Sequence, residues 1–188
     1  MTTQTTAELL RALRILFALH GAPLVLKCDN GSSFRSDLTK QLLARCGVEI
    51  LFSPPGLPAY NGSIEAANGS LKTRTAAQAE AQNSSAFWTS EHLDAARHQA
   101  NTTPRRRLQG LTPEAKWDTR THVPPAFRAQ FRATVTQQRL EAQAELGLTA
   151  EDLTSHWKAT RADRKAISRA LGAHGLLEYR RRRILPRI

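Results

Sequence analysis

Two carboxylates, Asp29 and Glu65, have the surroundings that chemistry on a phosphodiester would need. Asp29 closes the run Leu24-Val25-Leu26-Lys27-Cys28 and precedes Asn30-Gly31, while Glu65 follows Asn61-Gly62-Ser63-Ile64. Between them lie 35 residues, from 30 to 64. Metal-dependent phosphoryl transfer uses divalent cations about 3.5 to 4 Å apart, held by carboxylates on rigid elements. The end of a strand and the start of a helix are such elements. The same residues also suit plainer roles, Asp29 as a turn former before Asn-Gly and Glu65 as a first-turn acid favoured by the helix dipole.

The elements that must position this pair are legible around it. Leu24 to Cys28 reads as a short buried strand, bounded by Gly21 and Pro23 in front and Asn30-Gly31 behind. Asp29 then projects from its carboxyl end, where open α/β sheets gather their chemistry. Ser36 is placed to cap a helix whose apolar stripe is Leu38, Leu42 and Cys46, and Gly47 supplies the stop. Val48 to Phe52 makes a second strand, so strand, helix and strand form a βαβ unit with parallel strands. After a Pro- and Gly-rich loop, Ser53 to Gly62, a helix runs from Ser63 to about Gln82 with Glu65, Asn68 and Lys72 on one face. Asn61 is placed to cap this helix. Tyr60 is an aromatic suited either to stacking on an unpaired base or to packing on the next helix.

Taken together, Asp29-Asn30-Gly31 with Phe34, Pro54-x-x-x-Pro58-x-x-Asn61-Gly62-x-Ile64-Glu65, and Lys72 seven residues on resemble the integrase-type DDE transposases. Retroviral integrases and bacterial insertion-sequence transposases belong to that group, whose pattern is Asp, Asp, 35 residues, Glu. The resemblance covers Leu24 to about Trp117, where Thr112-Pro113-Glu114-Ala115-Lys116-Trp117 is similar to a further family segment. It implies an RNase H-like core, with Mg²⁺ or Mn²⁺ held by Asp29 and Glu65. It also implies cleavage at a transposon end followed by attack of the freed 3′-hydroxyl on target DNA. Lys72, Tyr60 and Asn61 would touch or shape the DNA site. One departure is large: only 28 residues precede Asp29, none of them Asp, and the sole acid among them is Glu8. The pattern's first Asp belongs on an earlier strand, so the chain reads as amino-terminally truncated, an integrase fragment expected to be inactive alone. The His and Cys zinc module of retroviral integrases is also absent.

Charge points the same way. The chain has 188 residues and a formal net charge of +11. Residues 1 to 99 hold 9 Lys and Arg against 8 acids, and residues 100 to 188 hold 18 against 8. So basic a second half implies a polyanionic partner. No apolar run reaches membrane length and no secretory signal is present. Cys28 and Cys46 suit buried thiols better than a bridge or a zinc site.

Toward the amino end, Thr5-x-x-Glu8 is a capping box for a helix bearing Leu9, Leu13, Leu16 and Phe17. Further on, Ser90 begins a helix with Phe87 and Trp88 as anchors before it, and Thr112-Pro113 starts a short one in which Trp117 packs on the core. Beyond Pro124-Pro125 two helices are expected, one from about Ala126 to Leu146 and one opened by the capping box Thr149-x-x-Asp152. On the latter, Lys158, Arg161, Lys165 and Arg169 form either a phosphate-binding stripe or an ordinary solvated face. Arg180, Arg181, Arg182 and Arg183 make a basic tail suited to nucleic acid.

The expected architecture is therefore α/β: a partial RNase H-like integrase catalytic core over residues 1–103, then a helical, strongly basic region over 104–188. One expected sheet edge, Leu24 to Cys28, would be exposed. Expected partners are DNA, both transposon ends and target, and further copies of the chain or a full-length transposase; the expected location is cytoplasmic, at the nucleoid. Two other functions stay open, a non-catalytic DNA-binding remnant or regulator of a full-length transposase, and a basic RNA-binding structural protein.

Overall fold

A computed structural model describes residues 5–84 and 87–178. The expected partial RNase H-like α/β core is not what the chain forms: the described residues are 67% helical, and their strands are two, paired in parallel. Val25–Cys28 (β1) and Glu49–Phe52 (β2) carry the short apolar strand pattern, and the other regular elements among the described residues are helical. The helices are α1 (Thr6–His20), α2 (Ser32–Arg35), α3 (Asp37–Arg45), α4 (Gly62–Ala81), α5 (Ser90–Thr102), α6 (Pro113–Asp118), α7 (Pro125–Glu145) and α8 (His156–Ala173).

The chain divides into two compact units, one of residues 1–56 with 123–188 and one of residues 57–122. These cuts fall elsewhere than the expected boundary at residue 103, because α7 and α8 build onto the sheet instead of standing apart.

In the first unit β1 pairs with β2 in the register Val25↔Glu49, Leu26↔Ile50, Lys27↔Leu51 and Cys28↔Phe52. Side chains alternate between the two faces of this small sheet. Leu26 and Ile50 pack against Leu9, Leu13, Leu43 and Val48, which brings α1 and α3 onto one face. Leu51, with Val25 and Leu24, packs against Phe131, Val135, Ile167 and Ala170 of α7 and α8 on the other. Both faces are thus covered, the second by helices that sequence reading assigned to a separate basic region.

Local signals explain most helix ends. The Thr5 and Glu8 box forms, with the Glu8 N–H donating to Thr5 Oγ1 at 3.3 Å and the Thr5 N–H to Glu8 Oε2 at 2.8 Å. Ser36 caps α3 by accepting from the Thr39 N–H, and Thr112 caps α6 through the Ala115 N–H. The Thr149 and Asp152 box also forms, but it opens a 3-10 turn at Asp152–Thr154. Ser155 is extended there (φ −76°, ψ 117°), so α8 starts only at His156.

Two groups of charge tie α7 and α8 down. Arg139 donates to Glu49 at 3.0 Å and to Asp163 at 2.6 Å, joining β2, α7 and α8. The guanidinium of Arg128 donates to the carbonyl oxygens of Pro23 and Ala22, and also to that of Gly47.

In the second unit α4 pairs with α5. His92, buried on α5, accepts the Thr89 N–H at Nδ1 (3.1 Å), so its Nε2 carries the hydrogen and donates to Gln82 Oε1 at 3.1 Å just beyond α4. Phe87 and Trp88 are not buried anchors: they are 77% and 51% exposed. Trp117 is half exposed as well, with the Arg120 guanidinium 3.9 Å over its ring.

Candidate nucleic-acid interface

Asp29 leaves β1 as expected and is exposed. Its Oδ1 accepts the Gly31 N–H at 2.9 Å, an Asx turn that occupies one carboxylate oxygen. The strand ends beside it are locked together. Asn30 donates from Nδ2 to the Ser53 carbonyl at 2.9 Å and faces His156 Nε2 at 3.4 Å, while Ser53 Oγ donates to the Cys28 carbonyl at 3.0 Å. Burial, and then the charge of Asp29, push the Cys28 thiol up to about 12. His156 lies edge-on to Phe52 at 4.9 Å, and its pKa is lowered first by burial and then by Arg35 and Lys40. Both cysteines are free.

Glu65 stands in the first turn of α4, in the other unit, with Tyr60, Asn61 and Lys72. Residues 63 to 70 of this helix are all exposed, and its buried residues are Thr75 and Ala79 near the far end. Asn61 sits in a 3-10 turn, Pro58–Asn61, and gives α4 no side-chain cap. The turn takes up the backbone bend that an extended capping residue would otherwise make. No unit holds both acids. Glu65 shares its helix face with Asn68 and Lys72, and Asp29 is engaged by the Gly31 N–H. Among the described residues no three His, Cys, Asp or Glu side chains are grouped to hold a metal ion. Mg²⁺ and Mn²⁺ ask for several oxygen ligands, so the donor set of neither unit taken alone fits them.

What the second unit does build is a groove of about 560 Å³ between α4 and α5. Ser63, Ala66, Ala67 and Ser70 give it a small-residue floor, and Arg74, Arg97, Arg105 and Arg107 line it with no acid among the lining residues. Three of the four arginines are set by their surroundings. Arg74 donates to Gln99 at 3.2 Å, Arg105 to the Ala100 carbonyl at 3.1 Å, and Arg97 pairs with Asp94 across one turn of α5. That last pair is exposed and contributes at most about 1 kcal/mol, leaving Arg97 available to a stronger anion. Four guanidiniums beside a smooth helix face suit phosphate oxygens, which they can grip two at a time.

Sequence reading missed this groove. The run Arg105-Arg106-Arg107 and the placement of Arg74 seven residues after Ala67 were the available signals, but only the pairing of α4 with α5 brings them together.

The stripe on α8 behaves otherwise. Lys165 and Arg169 both bind Glu145 of α7, and Lys158 binds Asp152. The hydrogen bonds from Arg169 and Lys165 lower Glu145 to about 2, and Lys158 and Thr149 lower Asp152 to about 2. Three of the four cations are thereby held in ion pairs, two of them sharing the single carboxylate of Glu145, and Arg161 is the remaining one. Arg180 to Arg183 lie outside the described residues.

No protein-family model and no curated protein matches the sequence. Among solved structures, the fold is similar to that of a chain in the cryo-electron microscopy structure of the simian T-cell lymphotropic virus intasome in complex with PP2A regulatory subunit B56 gamma. The identity is 20%, the TM-score 0.54, and the likeness covers 66% of this chain and 44% of that one. The chain therefore spans less than half the length of its structural neighbour, and the likeness is one of fold. Among the described residues, no helix is long and apolar enough to cross a membrane.

Proposed function

We propose that this protein binds DNA as part of a DNA-integration system, holding the phosphate backbone in the arginine groove of its second unit. The observation that carries this reading is the convergence of Arg74, Arg97, Arg105 and Arg107 on one acid-free groove. Lys72, Tyr60 and Asn61 stand on or beside the same helix, and the arginines from 180 to 183 would add to the positive field. The intasome likeness and the net charge of +11 support the choice of DNA as the polyanion. Further copies of the chain, or a longer integrase-type protein, would supply what the groove alone does not. The test is fluorescence anisotropy of a labelled duplex across a salt series. Log affinity should fall linearly with log salt, and the triple change Arg74→Ala, Arg105→Ala, Arg107→Ala should lower the slope by roughly 0.9 for each phosphate no longer neutralised. An unchanged slope would overturn the reading.

A second reading is end cleavage and strand transfer, with Asp29 and Glu65 as the carboxylates of the family pattern. It is favoured by their 35-residue spacing and by the position of each at the end of a strand and the start of a helix. This sequence carries two of the three carboxylates of that pattern, so we expect no turnover from it alone. Metal-dependent cleavage of labelled end DNA, abolished by Asp29→Asn, would establish the enzyme instead.

A further inference from the structure

On α4, Leu71 lines the arginine groove and also a second, smaller concavity of about 260 Å³. Trp88 and Leu93 wall this notch, and Asn68, Lys72 and Thr75 rim it. Its size falls just under the roughly 300 Å³ at which sites for whole small molecules begin, so it suits a single ring system. Half of the Trp88 surface and 45% of Leu93 are open. An indole that is walled on one side by a helix and open on the other offers a face to a flat ligand. Asn68 offers both donors and an acceptor, and Lys72 a cation with no ion-pair partner among the described residues, while the buried Thr75 hydroxyl is already spent on the Leu71 carbonyl. An apolar peptide would leave Lys72 and Asn68 unmatched. A nucleotide uses all three kinds of group: ring on indole, base edge on amide, phosphate on ammonium.

We infer that the Trp88 and Lys72 notch takes one unpaired DNA nucleotide, its base stacked on Trp88 and its phosphate held by Lys72. The inference rests on the DNA-binding reading above and deepens it. Leu71 lines both concavities, so the notch adjoins the groove and is within reach of an unpaired end of a duplex held there. Stacking on an exposed aromatic ring is tolerant of sequence, so any base should serve.

The full chain is titrated with three labelled DNAs of equal duplex length: one flush-ended, one with a short single-stranded overhang, and one whose overhang is abasic. We expect the overhang to bind more tightly than the flush duplex, the abasic overhang to lose that advantage, and Trp88→Ala to weaken overhang binding roughly tenfold while changing flush binding less than twofold. Trp88→Phe should keep most of the advantage, because it retains a ring. Unchanged flush binding also certifies that the variant is folded. If the flush duplex binds but overhang, abasic overhang and Trp88→Ala all behave alike, the notch proposal fails and the groove stands. If the overhang binds in a Trp88-dependent way while the flush duplex does not bind, the notch stands and the groove reading fails. Absence of binding to all three overturns both.

Discussion

Arg128 of α7 donates a hydrogen bond to the carbonyl oxygen of Gly47 at 3.1 Å, across 81 positions of sequence. Gly47 holds φ at +65°, and a Cβ there would stand 2.7 Å from Arg128 Cδ. Gly47→Ala should therefore suffer from both the left-handed backbone and the displaced arginine, losing about 2 kcal/mol in urea unfolding. Arg128→Lys should not rescue the site, since one ammonium cannot reproduce a planar fork aimed at several carbonyls. Stability within 0.5 kcal/mol of the parent, roughly the scatter of neutral surface changes, would contradict this account.

Arg139 stands between Glu49 and Asp163, whose side chains are 14% and 27% exposed. Arg139→Met keeps the packing of the stem but strands two carboxylates, one of which retains only Arg132 at 3.5 Å. We expect a loss of roughly 1 to 3 kcal/mol, below the figure for fully buried pairs because water reaches this network. Adding Asp163→Asn should recover part of it, and a double-mutant cycle measures how much.

His156 gives the fold a pH dependence near neutrality. Its folded value is lowered from 6.5, so below that pH the unfolded chain takes up more protons than the folded one. Its contribution is complete above pH 6.5 and is lost as pH falls through the lowered value. His156→Gln should flatten the stability profile in that window. The paired acids act lower: Glu145 and Asp152, both held down to about 2, contribute above their ordinary values of 4.5 and 3.8 and cease to do so as pH approaches 2. Denaturant midpoints measured from pH 8 to pH 2 separate the two windows.

The cations of α8 and those of the groove should behave differently toward DNA. Lys165→Ala with Arg169→Ala removes two cations that Glu145 already engages and that are therefore less free to grip phosphate, so duplex affinity should move less than about threefold. Arg105→Ala with Arg107→Ala removes the same formal charge from the groove and should cost at least tenfold at low salt. Equal effects of the two double changes would mean that net charge alone governs binding.

Much of the first unit was legible because its signals are local. The strands around Leu26 and Ile50, the Thr5 and Glu8 box and the cap at Ser36 depend on neighbours a few residues away, as does the cap at Thr112 in the second unit. The cover on the Leu51 face was not legible, since an amphipathic stripe such as Phe131 and Val135 declares that a helix is buried without declaring against what. The fold class failed for a related reason: the pattern around Asp29 and Glu65 brought with it a family's sheet-based core in truncated form, while the described residues build a mostly helical fold around two paired strands. The α8 stripe stayed open between a phosphate-binding and a solvated face because Glu145, which pairs two of its cations, lies 20 and 24 residues from them. For the site, the carboxylates were found by spacing, whereas the arginine groove exists only once α5 lies along α4.

The first unit is interrupted in sequence, since residues 57–122 form a unit of their own between its two parts. On the ribosome this imposes an order. The inserted unit is continuous and can close as soon as it emerges, but β1 and β2 must wait with Val25 and Leu51 bare until Phe131, Ile167 and Ala170 have been made. Synthesis runs at about 5 to 20 residues per second, so that apolar sheet face stays uncovered for several seconds during every round of translation. The nascent chain is then at its most vulnerable to aggregation, and to capture by a chaperone, between the appearance of β2 and the completion of α8.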